Sequence, residues 1–119
     1  MSKERLSKIQ RWILTATYRY TVQRDKVDVG FMNYGQEMHG GYFEAWVYEK
    51  YYRISHWHGE KRSYSPGYNK AHVSVCRSVR NLAQKGLIKI QWHDGRCWTL
   101  TDKGINVVND MLSVVSNSA

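Results

Sequence analysis

Cysteine is scarce in this chain, with only Cys76 and Cys97 among 119 residues, placed in different expected elements. That excludes a disulfide scaffold and leaves two small core residues as the expectation. Long apolar runs are missing too. None approaches the roughly 18 residues that span a bilayer, so no membrane segment is expected. The opening stretch, MSKERLSKIQRW, is charged and amphipathic and lacks the continuous apolar core of a secretory leader, which places the protein in the cytoplasm. Catalytic patterns are equally sparse. No Gly-rich loop follows an expected strand, and no carboxylate pair, Ser-His-Asp or Cys-His arrangement can be argued. The chain is therefore not expected to be an enzyme or to carry a cofactor. Internal repeats and low-complexity tracts are absent.

What is present suits one globular domain over residues 1–119. Hydrophobic residues make up 42% and aromatics 13%, enough for a real core without a metal or disulfide staple. The formal net charge is +8, from 18 Lys and Arg against 10 Asp and Glu, and charge of that size points to an anionic polymer as partner. Its placement is more telling. Residues 1–26 hold seven basic and two acidic residues, residues 60–89 seven basic and one acidic, and residues 101–119 one basic and two acidic. Positive charge thus gathers on the first and third expected helices and avoids the last.

Periodicity predicts a first helix from Ser2 or Lys3 to about Thr21, with Leu6, Ile9, Ile13, Ala16 and Tyr20 on one face. Residues 22–41 read as a loop-rich insert, broken by Gly30, Gly35, Gly40 and Gly41, with VDVGF as a possible short strand. A second helix is expected over residues 42–54, its face formed by Phe43, Trp46, Val47, Tyr51 and Ile54. A basic connector ending in Pro66-Gly67 follows. The third helix is expected over residues 69–85, with Asn69 as N-cap, Val75, Val79 and Leu82 facing inward, and Gly86 as the left-handed residue that ends it. LIKIQWH and RCWTL then flank Asp94-Gly95, the short-range signature of a β-hairpin. Thr101 is positioned to cap a last helix, with Asp102 suited to its positive end. The fold class expected is α+β, mainly helical, with a short two-stranded wing and a C-terminal helix.

Two local features carry competing readings. His56-Trp57-His58 has the look of half a metal site, with His39 or His93 as further ligands, but no ligand spacing repeats and a polar connector is expected, with no metal. The Tyr and Trp residues between Tyr42 and Tyr52 would suit a stacking platform for single strands or flat ligands, although at helical spacing they read as core.

The order helix, helix, basic helix, short hairpin, helix is that of a winged helix-turn-helix. Within it, Val75-Cys76-Arg77-Ser78-Val79-Arg80-Asn81-Leu82-Ala83-Gln84-Lys85-Gly86-Leu87-Ile88 resembles the recognition-helix signature of the MarR-like winged-helix regulators, in which Leu-x-x-Lys-Gly-Leu-Ile leads into the wing. Asp94-Gly95-Arg96 is similar to that family's wing tip, and Leu100-Thr101-Asp102-Lys103-Gly104 to its entry into the next helix. The resemblance covers about residues 70–104. It implies a recognition helix and wing within residues 69–104, and a transcriptional regulator of the winged-helix type.

DNA binding also follows from the residues themselves, since an α-helix fits the major groove. His72, Ser74, Arg77 and Asn81 are the expected base contacts, with Arg77 able to fork onto guanine and Asn81 onto adenine. Lys70, Arg80, Lys85, Lys89 and the wing residue Arg96 are expected at phosphates or the wing's groove. In the last helix Ile105, Val108, Leu112 and Val115 recur at spacings of three and four, and with Met111 they predict a homodimer interface. The same stripe would alternatively pack on the first helix. The functional expectation is therefore sequence-specific duplex binding by a dimeric regulator. A winged-helix module that contacts protein rather than DNA is the alternative. A ligand- or metal-responsive sensor is a third reading, and the effector is not specified.

Overall fold

The computed structural model describes residues 5–24, 41–53, 67–92 and 96–118, with side chains of the last helix as far as Ser113. The VDVGF segment, His39, His56, His58, His93, the Asp94-Gly95 turn and the side chain of Val115 lie outside the described residues. Among them the chain runs α1 (Lys8–Thr21), β1 (Tyr42–Phe43), α2 (Glu44–Lys50), α3 (Tyr68–Gln84), β2 (Ile88–Trp92), β3 (Arg96–Leu100) and α4 (Asp102–Ser118). The class is α+β and mainly helical, with one three-stranded antiparallel sheet in the order β1-β3-β2.

Helix α1 begins at Lys8, later than its periodicity suggests, because Ser7 and Gln10 form a capping box. The Gln10 amide donates to Ser7 Oγ at 3.2 Å, and the Ser7 amide donates to Gln10 Oε1 at 2.9 Å. Two orphan donors are satisfied there, so the helix starts where they are. Ile9, Ile13, Ala16 and Tyr20 are buried as expected, joined by Leu14 and Thr17.

The second element differs from the expected helix. Tyr42 and Phe43 extend as β1 and pair with Trp98 and Cys97 of β3. Gly41 just before them lets the chain come close, since a Cβ there would lie 3.2 Å from Cys97 Sγ. Helix α2 then keeps only Glu44–Lys50, and Arg53 beyond it adopts a positive φ of 59°. Backbone pairing with the open edge of β3 outweighs the helical spacing of Phe43, Trp46 and Val47, because a strand edge left unpaired and buried is costly.

Helix α3 starts one residue earlier than expected. Its N-cap is Gly67, at φ +80°, with no side-chain cap, rather than Asn69. Its end matches the expectation. Gly86 is left-handed at φ +76°, the Gly86 amide donates to the Ala83 carbonyl, and the Leu87 amide donates to the Leu82 carbonyl, each at 3.0 Å, which is a Schellman closure. The hairpin forms as expected, with Ile90 opposite Trp98 and Trp92 opposite Arg96. Thr101 caps α4 by accepting the Gly104 amide at 3.0 Å, while its own hydroxyl donates to the Gly86 carbonyl.

One hydrophobic cluster draws on every element. At its centre Trp98 donates its indole N–H to Thr17 Oγ1 at 2.9 Å. Around it Tyr20, Tyr42, Phe43 and Trp46 pack edge to face, with centroids about 5–6 Å apart. These rings are almost wholly buried, so they are core and offer no stacking platform. Val108 of α4 is also fully buried in this cluster, and Val107, Met111 and Leu112 pack against it. The apolar stripe of α4 is thus used, in good part, within its own chain. Val108 cannot serve the dimer contact expected of it, because periodicity is the same for a stripe that meets a core and one that meets a partner. No helix among the described residues is long and apolar enough to cross a membrane.

Candidate nucleic-acid interface

Burying Ala71, Val75, Val79 and Leu82 turns the opposite face of α3 outward. Lys70, Val73, Arg77 and Arg80 are exposed there, and Ser74 and Asn81 half-buried. Lys70, Ser74, Arg77 and Asn81 fall at helical intervals and form a single stripe. The stripe lines one side of an open groove of about 750 Å³. The segment before α1 and the first turn of that helix make the other side, through Arg5, Ser7, Ile9 and Gln10. Among the described residues that line it, Arg5, Lys70 and Arg77 are cations and none is acidic. Lys70, Arg77, Arg80 and Lys89 have no ion pair among the described residues, which leaves their charge to act outward.

Ser74, Arg77, Asn81 and Lys70 are therefore brought together as their spacing predicts. Arg80 and Lys89 are exposed but do not line the groove, and three other expected contacts are held by partners elsewhere in the chain. Lys85 is half-buried and donates from Nζ to the Arg5 carbonyl at 2.9 Å, tying the segment before α1 to the end of α3. Arg96 turns inward from the start of β3 and pairs with Glu44, while its Nη2 lies 3.1 Å from Cys76 Sγ. His72 is exposed, yet it is absent from the groove. Its Nδ1 sits 2.7 Å from the Tyr48 hydroxyl, and its ring stacks on Tyr68 at 5.6 Å. In each case a partner supplied by a distant element satisfies the group inside the protein, which helical position alone does not reveal.

Val73 and Arg5 line the groove without being among the expected contacts, as do Ser7, Ile9, Gln10 and Ser78. Val73 is 55% exposed, an apolar side chain on a polar face, and its offset from the Val75–Val79–Leu82 stripe already places it outward. Arg5 contributes to the basic N-terminal charge, but nothing in the sequence places it opposite α3.

On the flank away from the groove a second polar group forms. Glu44 of α2 and His72 and Cys76 of α3 bring ligand-type atoms within 4.8 Å of one another. The Tyr48 hydroxyl donates to Glu44 Oε2 at 2.9 Å, and His72 Nε2 lies 3.6 Å from Cys76 Sγ. Burial, reinforced by the Glu44 charge, holds the Tyr48 hydroxyl well above the usual tyrosine range. Burial pulls Arg96 downward, but its hydrogen bond and charge pairing with Glu44, helped by Cys76, outweigh this and leave it above its ordinary value. Cys76 is thus half-buried in a polar cluster rather than the expected core, whereas Cys97 is fully buried as expected.

The chain matches no family model, no curated protein and no solved structure.

Proposed function

We propose that this chain is a winged-helix protein that binds duplex DNA by laying α3 in the major groove, with the β2–β3 hairpin as its wing. The observation that carries the reading is the groove-lining stripe of Lys70, Ser74, Arg77 and Asn81 on a 17-residue helix, faced by Arg5 and with no carboxylate among the described lining residues. Arg77 and Asn81 carry the bidentate groups that read guanine and adenine, Ser74 accepts or donates to either, and Val73 suits a thymine methyl. Arg5, Lys70, Arg80 and Lys89 supply phosphate contacts, which set affinity without sequence information. The order of helices and hairpin and the resemblance over residues 70–104 support the same reading. In it the chain is a cytoplasmic, sequence-specific regulator of transcription and not an enzyme.

A homodimer belongs to this proposal in narrowed form. With Val108 in the core, a second copy would meet Ile105, Met111 and Leu112, each half-buried. Two recognition helices related by a twofold axis would read half-sites about 34 Å apart.

Selection from a random duplex pool tests specificity and symmetry together. A palindromic consensus is expected. Recovery of no consensus, with binding insensitive to salt, would replace this reading with that of a module contacting protein.

A further inference from the structure

We propose that Glu44, His72 and Cys76 form a binding site for a zinc-class divalent cation, guarded by Arg96. The inference goes beyond DNA binding and does not rest on it, since these residues lie outside the groove.

The donor set is the first argument. An imidazole, a thiol and a carboxylate are the ligand types zinc takes, and the sulfur selects zinc or cobalt over magnesium and calcium. Their placement is the second. His72 and Cys76 are four residues apart, hence neighbours on one face of α3, and α2 delivers Glu44 so that all three ligand atoms lie within 4.8 Å. The 3.6 Å between His72 Nε2 and Cys76 Sγ matches the edge of a tetrahedron with metal–nitrogen bonds of about 2.0–2.1 Å and metal–sulfur bonds of about 2.3 Å, which is roughly 3.6 Å.

The third argument is the tautomer of the imidazole. The Tyr48 hydroxyl has one proton and donates it to Glu44 Oε2. At 2.7 Å from the Tyr48 oxygen, His72 Nδ1 is then the donor, which leaves Nε2, 3.6 Å from Cys76 Sγ, as the ring nitrogen that carries the lone pair. A ligating histidine held through its other nitrogen is the arrangement that fixes ring and tautomer at metal sites.

Arg96 supplies the fourth. Its guanidinium already lies between Glu44 Oε1 and Cys76 Sγ, so the pocket is built to place positive charge between a carboxylate and a sulfur. On metal binding the guanidinium withdraws, the Cys76 thiol proton passes to solvent, and the ion takes Nε2, Sγ and the released Oε1. A water completes four-coordination. The thiolate and carboxylate then balance the two charges of the ion.

Cobalt titration of the metal-free full chain tests this directly. The expected result is a thiolate-to-cobalt charge-transfer absorption that saturates at one equivalent and is abolished by added zinc. Cys76→Ser should remove the sulfur band, while Cys97→Ala should keep it. Glu44→Gln and Tyr48→Phe should each weaken binding by about 10–100-fold. Arg96→Gln should tighten it, because the competing cation is gone. With wild-type protein alone, zinc should slow alkylation of Cys76 mapped by mass spectrometry, a readout that needs no variant to fold. No sulfur–cobalt band, a band that survives Cys76→Ser, or zinc that fails to protect Cys76 would each overturn the site. Arg96→Gln that binds no more tightly would overturn the guarding role.

Discussion

Replacing Gly104 with alanine should loosen the joint that seats α4 on the base of the β2–β3 hairpin. A Cβ at Gly104 would fall 2.1 Å from the Leu87 carbonyl oxygen, 3.1 Å from its carbon and 3.2 Å from Leu100 Cδ2, whereas real Cβ atoms stay beyond 3.0 Å. The helix start must therefore lift by roughly 1 Å, against backbone that cannot rotate away as a side chain can. That movement acts on bonds already in place, since the Leu87 carbonyl accepts the Thr101 amide at 3.1 Å and the Thr101 hydroxyl donates to the Gly86 carbonyl. Overpacking costs about 1–3 kcal/mol, and a strained hydrogen bond adds about 1 kcal/mol. Alanine's helix preference returns up to about 1 kcal/mol. The net expectation is a loss of about 1–3 kcal/mol, or a fall in Tm on the order of 10 °C for a chain of this size. Urea unfolding followed by tryptophan fluorescence measures it, with Asn106→Ala, exposed on the same helix, as the control that gains propensity without a clash. Gly104→Ala as stable as the parent, or more so, would refute the close approach of α4 to Leu87.

Further expectations concern the groove and the polar cluster. Arg77→Ala should cost about 1–3 kcal/mol on a selected site and relax one base position; equal weakening of every sequence would make Arg77 a phosphate contact instead. Neutralising Lys70 or Arg80 should lower the log–log salt slope by about one, while Arg96→Ala should leave it unchanged because Glu44 holds that guanidinium. An altered slope for Arg96→Ala would show that it leaves Glu44 for the DNA. Tyr48 keeps its proton in the folded chain where an unfolded tyrosine, near 10, would lose it. Its contribution to stability is therefore complete below pH 10 and declines as pH rises above it. Tyr48→Phe should make the alkaline fall in stability shallower, and an unchanged fall would contradict the shift.

Much of the fold is legible where the signal is local. The Schellman end at Gly86, the hairpin, the Thr101 cap and the inward stripe of α3 each depend on residues within a few positions of one another, so pattern and structure agree. The start of α1 was equally local, since Ser7 and Gln10 have the spacing of a capping box, and the amphipathic residues upstream obscured it. Strand β1 was not legible. It exists because Tyr42 and Phe43 find Trp98 and Cys97, more than fifty positions away, while their own spacing suits a helix. The same division holds for the candidate site. Lys70, Ser74, Arg77 and Asn81 follow from the helical period, but Lys85, Arg96 and His72 are claimed by Arg5, Glu44 and Tyr48 through contacts that only the packed chain creates.

The claim that α3 and its surroundings form a DNA-binding face is tested most directly by binding to random-sequence duplex across a range of salt. Phosphate contacts by Arg5, Lys70, Arg80 and Lys89 predict that log K falls against log salt with a slope of about −3 to −4 per protomer, since each contact contributes about −0.9. A slope near zero, or no binding at low salt, would contradict it.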